Sequence, residues 1–217
     1  MEAARVGARE ADVGPAPAAP AAAGWTPANP APIGAAGFAA TTFVLSIITA
    51  NLVGPKSLGV VLPLALAYGG LAQLLAGMWE FRAGNTFGAC LFSSFGAFWI
   101  SVYVLLFVLP AAAVTQAGFS LYLYAWAIFT LIMFIASLRT TGVLAFALLL
   151  LFATLLVLAI GHANLVGAPA ARITNSTIKL GGWIGIVLAL TAWYIVLAAL
   201  MESTFGRPVL PTFPLSR

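Results

Sequence analysis

The stretch GVLAFALLLLFATLLVLAI, residues Gly142–Ile160, runs without a charged side chain. A helix crosses the roughly 30 Å hydrocarbon slab of a bilayer in about 20 residues. Backbone amides have no water to bond inside that slab, so the stretch reads as a membrane-spanning helix. The rest of the chain repeats the pattern. Of its 217 residues, 63% are hydrophobic and 6% are charged, against about 25% charged in a soluble domain. So few charges cannot cover a water-facing surface. The fold class is all-α: a polytopic membrane protein with one helical bundle per subunit.

Working outward from Gly142–Ile160, the same length rule marks five more spans: Gly34–Val53, Leu58–Trp79, Phe87–Leu109, Gly118–Leu138 and Gly182–Met201. The connections are short except His162–Leu180. Gly84 suits a left-handed helix end, Thr86 is placed to cap the third helix, and Pro110 ends it. Residues 1–28 are rich in Ala, Pro and Gly and read as a disordered tail. Residues 29–211 form the transmembrane domain, and 212–217 a short C-terminal tail. Six spans put both termini on one side. With that side cytoplasmic, Arg5, Arg9, Arg82, Arg139, Arg207 and Arg217 lie inside and Lys56, Arg172 and Lys179 outside, as the positive-inside rule prefers. The expected location is the plasma membrane. Asn175-Ser176-Thr177 forms a glycosylation triplet, of a kind that arises often by chance.

The net charge of +4 is scattered, which excludes nucleic acid as a partner. The lone Cys90 allows no internal disulfide and no cysteine metal cluster. His162, past the end of the fifth span, has no Cys, Asp or Glu cluster nearby and reads as interfacial rather than as a metal ligand or proton shuttle. No nucleophile–base set or phosphate loop can be assembled, so no enzyme, cofactor or metal is expected. Glu80 and Glu202 sit at helix ends, where they can reach the interface, and no span carries a charge at its centre. That argues against a buried carboxylate relay and against a pore lined by charged rings.

The spans hold small residues in stripes instead: Ala65, Gly69, Gln73 and Gly77; Ala89, Ser93, Ala97 and Ser101; Gly182, Gly185, Ala189 and Ala192. Small faces let membrane helices approach closely. Helix packing explains the Gly and Ala. It explains Thr41, Thr42, Gln73, Ser93, Ser94 and Thr191 less well, which leaves a narrow path with sparse polar contacts as the other reading. Ahead of the first span, Asn29-Pro30-Ala31-Pro32-Ile33-Gly34 places Asn29 as the cap and Pro30 as the first helical residue, where proline is tolerated. Gly34 permits a close approach. Asn29 and the Ala31 and Ile33 amides make a weak solute site at a positive helix end; a rigid, packed helix entry is the alternative.

Several motifs in order resemble the acetate uptake transporter family: Asn29-Pro30-Ala31-Pro32; Tyr68-Gly69-Gly70-Leu71-Ala72-Gln73 followed by Gly77 and Glu80; Gly84-Asn85-Thr86-Phe87-Gly88; Ser94-Phe95-Gly96-Ala97-Phe98-Trp99; Gly182-Trp183-Ile184-Gly185; and Phe205-Gly206-Arg207 with Val209-Leu210-Pro211. The resemblance implies a six-helix subunit in a homo-hexamer, each subunit with its own path for acetate and, in some members, succinate, commonly with a proton. It implies a hydrophobic girdle at Phe38, Phe95 and Leu151, and a position at Ala192 that bears on substrate size. The bacterial permease has tyrosine where this chain has Phe95. Asn29, Ala31, Gly34, Thr41, Thr42, Gln73, Asn85 and Thr86 are the candidate substrate contacts, with Glu80 and Arg82 as interfacial charges. The expected function is transport of acetate and related short carboxylates, proton-coupled or channel-like. The alternative is a channel for a neutral solute such as urea, a short amide or ammonia. A scaffold or sensor without a pore is a third reading.

Overall fold

The computed structural model describes residue 25, residues 27–165 and residues 175–215. Most of the expected tail, with Arg5 and Arg9, lies outside them, as do Arg172 and Arg217. Six helices are long and apolar enough to cross a membrane: α1 (Ala31–Thr49), α2 (Pro55–Arg82), α3 (Thr86–Val108), α4 (Gln116–Ser137), α5 (Gly142–Ala163) and α6 (Ser176–Phe205).

Their ends are set by capping chemistry, which the hydropathy runs do not see. α1 begins at Ala31 and stops at Thr49, just before Asn51 turns left-handed at φ 61°. Pro30 is the residue before the helix rather than its first, and Asn29 Oδ1 takes the Ala31 amide at 3.0 Å. Asn85, not Thr86, caps α3, accepting from the Gly88 amide at 3.1 Å. Asn175 Oδ1 takes the Ile178 amide at 3.0 Å and starts α6 ahead of its apolar run, so the glycosylation triplet serves as a helix cap here. Gly206, at φ 68°, ends α6 in the left-handed conformation that favours glycine. His162 lies inside the last turn of α5 and is buried, because that helix runs on to Ala163.

Alternating directions bring Arg82, Arg139 and Arg207 to the end of the bundle where α1 begins and α6 ends, with Lys56 and Lys179 at the other. Trp25 packs on Trp79 at that end, and Arg82 donates to its carbonyl at 3.2 Å. The residues expected as a C-terminal tail are tied down there too. Gly142 donates to the Phe213 carbonyl at 2.7 Å and Leu215 to that of Thr140 at 2.9 Å.

Around the bundle the neighbours run α3, α2, α1, α6, α5, α4. The α1–α2–α3 side is closed by glycine. A Cβ on Gly37 would stand 2.5 Å from the Tyr68 carbonyl oxygen, one on Gly69 2.5 Å from Thr41 Oγ1, and one on Gly96 2.6 Å from the Leu74 amide. α2 widens into a π-helical stretch at Ala65–Ala72, where Gly69 and Gly70 meet these neighbours. The α3–α4 side is closed by rings instead. Phe98 stacks on Tyr122 at 5.9 Å and meets Trp126 edge-on at 5.1 Å, and Phe95 meets Trp126 and Phe129 at 5.7 Å.

Gly96→Val forces α2 from α3 and is expected to cost about 1–3 kcal/mol by overpacking. Gly54→Ala, where nothing lies within 4 Å, is expected to stay within about 0.5 kcal/mol of the unsubstituted protein. Thermal unfolding of the detergent-solubilised protein measures both.

Candidate transport path

Two cavities lie in line along the middle of this ring. The first, about 150 Å³, opens among Ala31, Ala35, Gln73, Glu80, Asn85, Phe92, Leu148 and Ile195 at the end where α1 begins and α6 ends. The second, about 470 Å³, is lined by Thr42, Ser46, Trp99, Leu123, Thr154 and His162 toward the other end. Phe38 of α1 and Leu151 of α5 line both, so they stand between them. Phe95 of α3 faces Phe38 edge-on, with ring centroids 6.0 Å apart, and is 1% exposed. Ala192 lines the first cavity. The four residues implied as girdle and size determinant therefore come together from four helices.

The rings that hold Phe95 rest on a few hydrogen bonds. Ser101 Oγ and Tyr122 Oη are 2.6 Å apart, and Tyr122 donates to the Phe98 carbonyl at 3.3 Å. Phe95 thus sits in a box of Phe38, Phe98, Trp126 and Phe129. Replacing one ring alters the packing of its neighbours as well as the free space.

Polar groups in the first cavity come from one side. Gln73 and Glu80 are 1% and 2% exposed. They stand about two turns apart on one face of α2. Gln73 Oε1 and Glu80 Oε1 have no hydrogen-bond partner among the described residues. Glu80 Oε2 accepts from Asn85 Nδ2 at 2.8 Å. The expectation that Glu80 reaches the interface is corrected: α2 continues to Arg82, and Glu80 turns inward against Gly88, where a Cβ would meet its carboxyl carbon at 2.8 Å. Arg82 is exposed, with Trp25 5.7 Å from its guanidinium carbon.

The second cavity carries hydroxyls and the one histidine. Thr42 Oγ1 and Trp99 Nε1 have no partner among the described residues. Thr154 donates back to the Leu150 carbonyl at 2.8 Å. His162 Nδ1 is 2.8 Å from Gln116 Oε1, with the Phe119 ring edge-on at 4.8 Å. His162 is therefore part of a cavity wall in the last turn of α5.

Of the other candidate contacts, Asn29, Gly34, Thr41 and Thr86 line neither cavity. Asn29 and Thr86 are exposed. The Ala31 amide is taken by Asn29, although Ala31 itself lines the first cavity. Gly34 is covered by Phe92, whose ring a Cβ would meet at 2.7 Å. Thr41 donates to the Gly37 carbonyl at 2.9 Å and packs on Gly69. Sequence reading missed the inward face of Glu80 and the roles of Trp99 and His162. The two-turn spacing of Gln73 and Glu80 on one face of α2 was the available signal for the first.

The model of the GPR1/FUN34/yaaH family matches residues 14–217. Acetate permease A of Emericella nidulans is 41% identical over 203 residues, 87% of this chain and 67% of that protein. The succinate-acetate/proton symporter SatP of Escherichia coli K12 is 38% identical over 189 residues, 85% of this chain and 94% of that one. Ammonia transport outward protein 2 of Saccharomyces cerevisiae is 40% identical over 176 residues, 77% of this chain and 59% of that one. The solved structure of the bacterial acetate channel SatP superposes with a TM-score of 0.76 at 34% identity, covering 86% of this chain and 99% of that one. These relatives are transporters or channels, and with six apolar helices this chain is a multi-pass membrane protein.

Asn85→Ala removes both the cap on the Gly88 amide and the donor to Glu80. It is expected to destabilise the protein by about 1–3 kcal/mol, read as an earlier thermal transition in detergent. Thr86→Ala, at an exposed site that caps nothing, is expected to leave the transition within about 0.5 kcal/mol.

Proposed function

The chain belongs to the GPR1/FUN34/yaaH family, and from that premise we propose that it moves acetate and related short carboxylates, succinate among them, through a path in the middle of each subunit. One observation carries the reading: two cavities meet at Phe38 and Leu151, with Phe95 packed against Phe38, in a chain 38% identical to a succinate-acetate/proton symporter.

Phe38, Phe95 and Leu151 act as the girdle, and Ala192 beside them tunes the length of acid admitted. A bare carboxylate is costly to carry past such rings, and protonation removes most of that cost. The path therefore suits the neutral acid, with a proton travelling alongside. Gln73 meets the solute on one side of the girdle and Thr42 on the other, each with an oxygen that no described residue bonds. Weak, few contacts let a solute leave as readily as it enters. The protein sits in the plasma membrane with both termini cytoplasmic and assembles as a homo-hexamer. Exposed Trp183, Leu190 and Leu197 on α6 supply apolar surface for lipid or a neighbouring subunit.

A second reading, passage of a neutral solute such as ammonia, draws on the 40% identity to the yeast ammonia transport protein. Competition separates the two. Proteoliposomes holding the full chain are expected to take up labelled acetate faster than protein-free vesicles, with excess propionate slowing uptake. Acetate uptake no faster than in protein-free vesicles, with faster passage of ammonia, sinks the carboxylate reading. Phe95→Ala opens the box of rings and is expected to admit longer acids. An unchanged substrate range in a well-folded variant removes Phe95 from the narrow point.

A further inference from the structure

We propose that Glu80 is the group that gives the carboxylate solute its proton inside the first cavity and takes it back on the reverse passage. This rests on the reading of carboxylate transport above and adds the residue that makes the acid neutral.

Glu80 is 2% exposed and lines the cavity. One carboxyl oxygen, Oε2, is held by Asn85 Nδ2 at 2.8 Å, and the other, Oε1, has no partner among the described residues. Asn85 cannot turn its amide round without loss, because its Oδ1 caps the Gly88 amide at 3.1 Å. The cap on α3 therefore fixes which oxygen of Glu80 is bonded and which is left over. Asn85 is exposed while lining the cavity, so the pair connects the cavity to the end of the bundle.

No other titratable or charged side chain lines this cavity among the described residues. α1 presents Ala31, α3 Phe92, α5 Leu148 and α6 Ile195, and α2 adds the neutral Gln73. Arg82 is turned outward onto Trp25. An ion without a counter-charge is costly in such surroundings, and a carboxyl found there is a functional group by default. A glutamine would satisfy Asn85 equally well as an acceptor. What the carboxyl adds is a transferable proton.

In the step, the O–H bond at Glu80 Oε1 breaks and an O–H bond forms on the solute carboxylate. The cavity holds one negative charge before and after. That charge passes from a mobile solute to a fixed group held by Asn85. The neutral acid goes on past Phe38 and Leu151, and the Glu80 carboxylate regains a proton from hydronium or buffer acid in the solution at the Asn85 end.

Carboxyl groups ordinarily titrate near pH 4, so a path admitting only preformed acid would slow about tenfold for each pH unit above that. Glu80 meets the solute ahead of the girdle only when entry is from the first-cavity end. Initial rates of labelled acetate uptake into inside-out vesicles, whose outer face is that end, are therefore measured from about pH 5.5 to about pH 7.5 at fixed total acetate, with protein-free vesicles subtracted. The unsubstituted protein is expected to lose less than about threefold per pH unit. Glu80→Gln is expected to keep its rate at the acid end and then fall about tenfold per pH unit, and Glu80→Asp to restore the shallower profile. Parallel profiles for Glu80→Gln and the unsubstituted protein overturn this proposal alone, as does a folded Glu80→Gln that is inactive even at the acid end. No uptake by the unsubstituted protein removes the carboxylate reading and this proposal with it. If Glu80→Gln does not fold, dicyclohexylcarbodiimide on the unsubstituted protein decides. An adduct on Glu80 whose formation excess acetate slows supports the assignment, and its absence overturns it.

Discussion

Backbone stands against backbone where Gly37 of α1 meets the Tyr68 carbonyl of α2 and Gly96 of α3 meets the Leu74 amide of α2, and Gly69 of α2 meets the Thr41 side chain of α1, leaving no room for a Cβ at any of the three. Lipid gives helices no hydrophobic reason to associate, so such contacts and the hydrogen bonds beside them hold a membrane bundle together. The path depends on this clamp. Phe38, Gln73 and Phe95 project from its three helices, and their relative heights are fixed by which glycine meets which neighbour. A register slip of one turn on α2 would carry Gln73 about 5.4 Å along the axis and away from Phe95.

The opposite side of the ring works by bulk. Aromatic side chains fill the gap between α3 and α4 and pack around Phe95 on the side away from the glycine contacts. One helix, α3, thus carries glycine toward α2 and rings toward α4. Close packing on one face and ring packing on the other leave Phe95 little rotational freedom. The narrow point proposed at Phe95 would need that stiffness to select by size, because a ring free to swing would admit acids of any length.

How much of this could be read from sequence follows the same division. The six spans were legible, because apolar run length is a direct consequence of the bilayer's thickness. Their ends were less so: Asn175 starts α6 well before its apolar run, and Asn85 rather than its neighbour Thr86 caps α3. Caps are decided by local dihedrals that composition does not report. In the candidate site, Phe38, Phe95, Leu151 and Ala192 were placed from motif resemblance, and the fold brings them to one place. Glu80 was misread because position near a helix end suggests exposure, whereas the direction of the side chain depends on which face α2 turns to Gly88. Asn29 and Gly34 looked like solute contacts because prolines and glycine at a helix mouth are unusual. Their chemistry is used up locally, by the Ala31 amide and the Phe92 ring.

The two cavities differ in a way that size does not explain. Apart from Asn85 and Glu80 at its mouth, the smaller one offers only Gln73 as a polar group. The larger one carries hydroxyls and His162 along its wall. A buried carboxyl is tolerated only where something stabilises it and where water is within reach. Asn85 meets both conditions, since it is bonded to Glu80 and exposed at once. The same residue starts α3, the helix that carries Phe95. Local order at the helix start, the orientation of Glu80 and the start of the helix that carries Phe95 are thus tied to a single side-chain amide. That coupling explains why an ionisable residue can sit at the edge of a path whose centre is otherwise apolar.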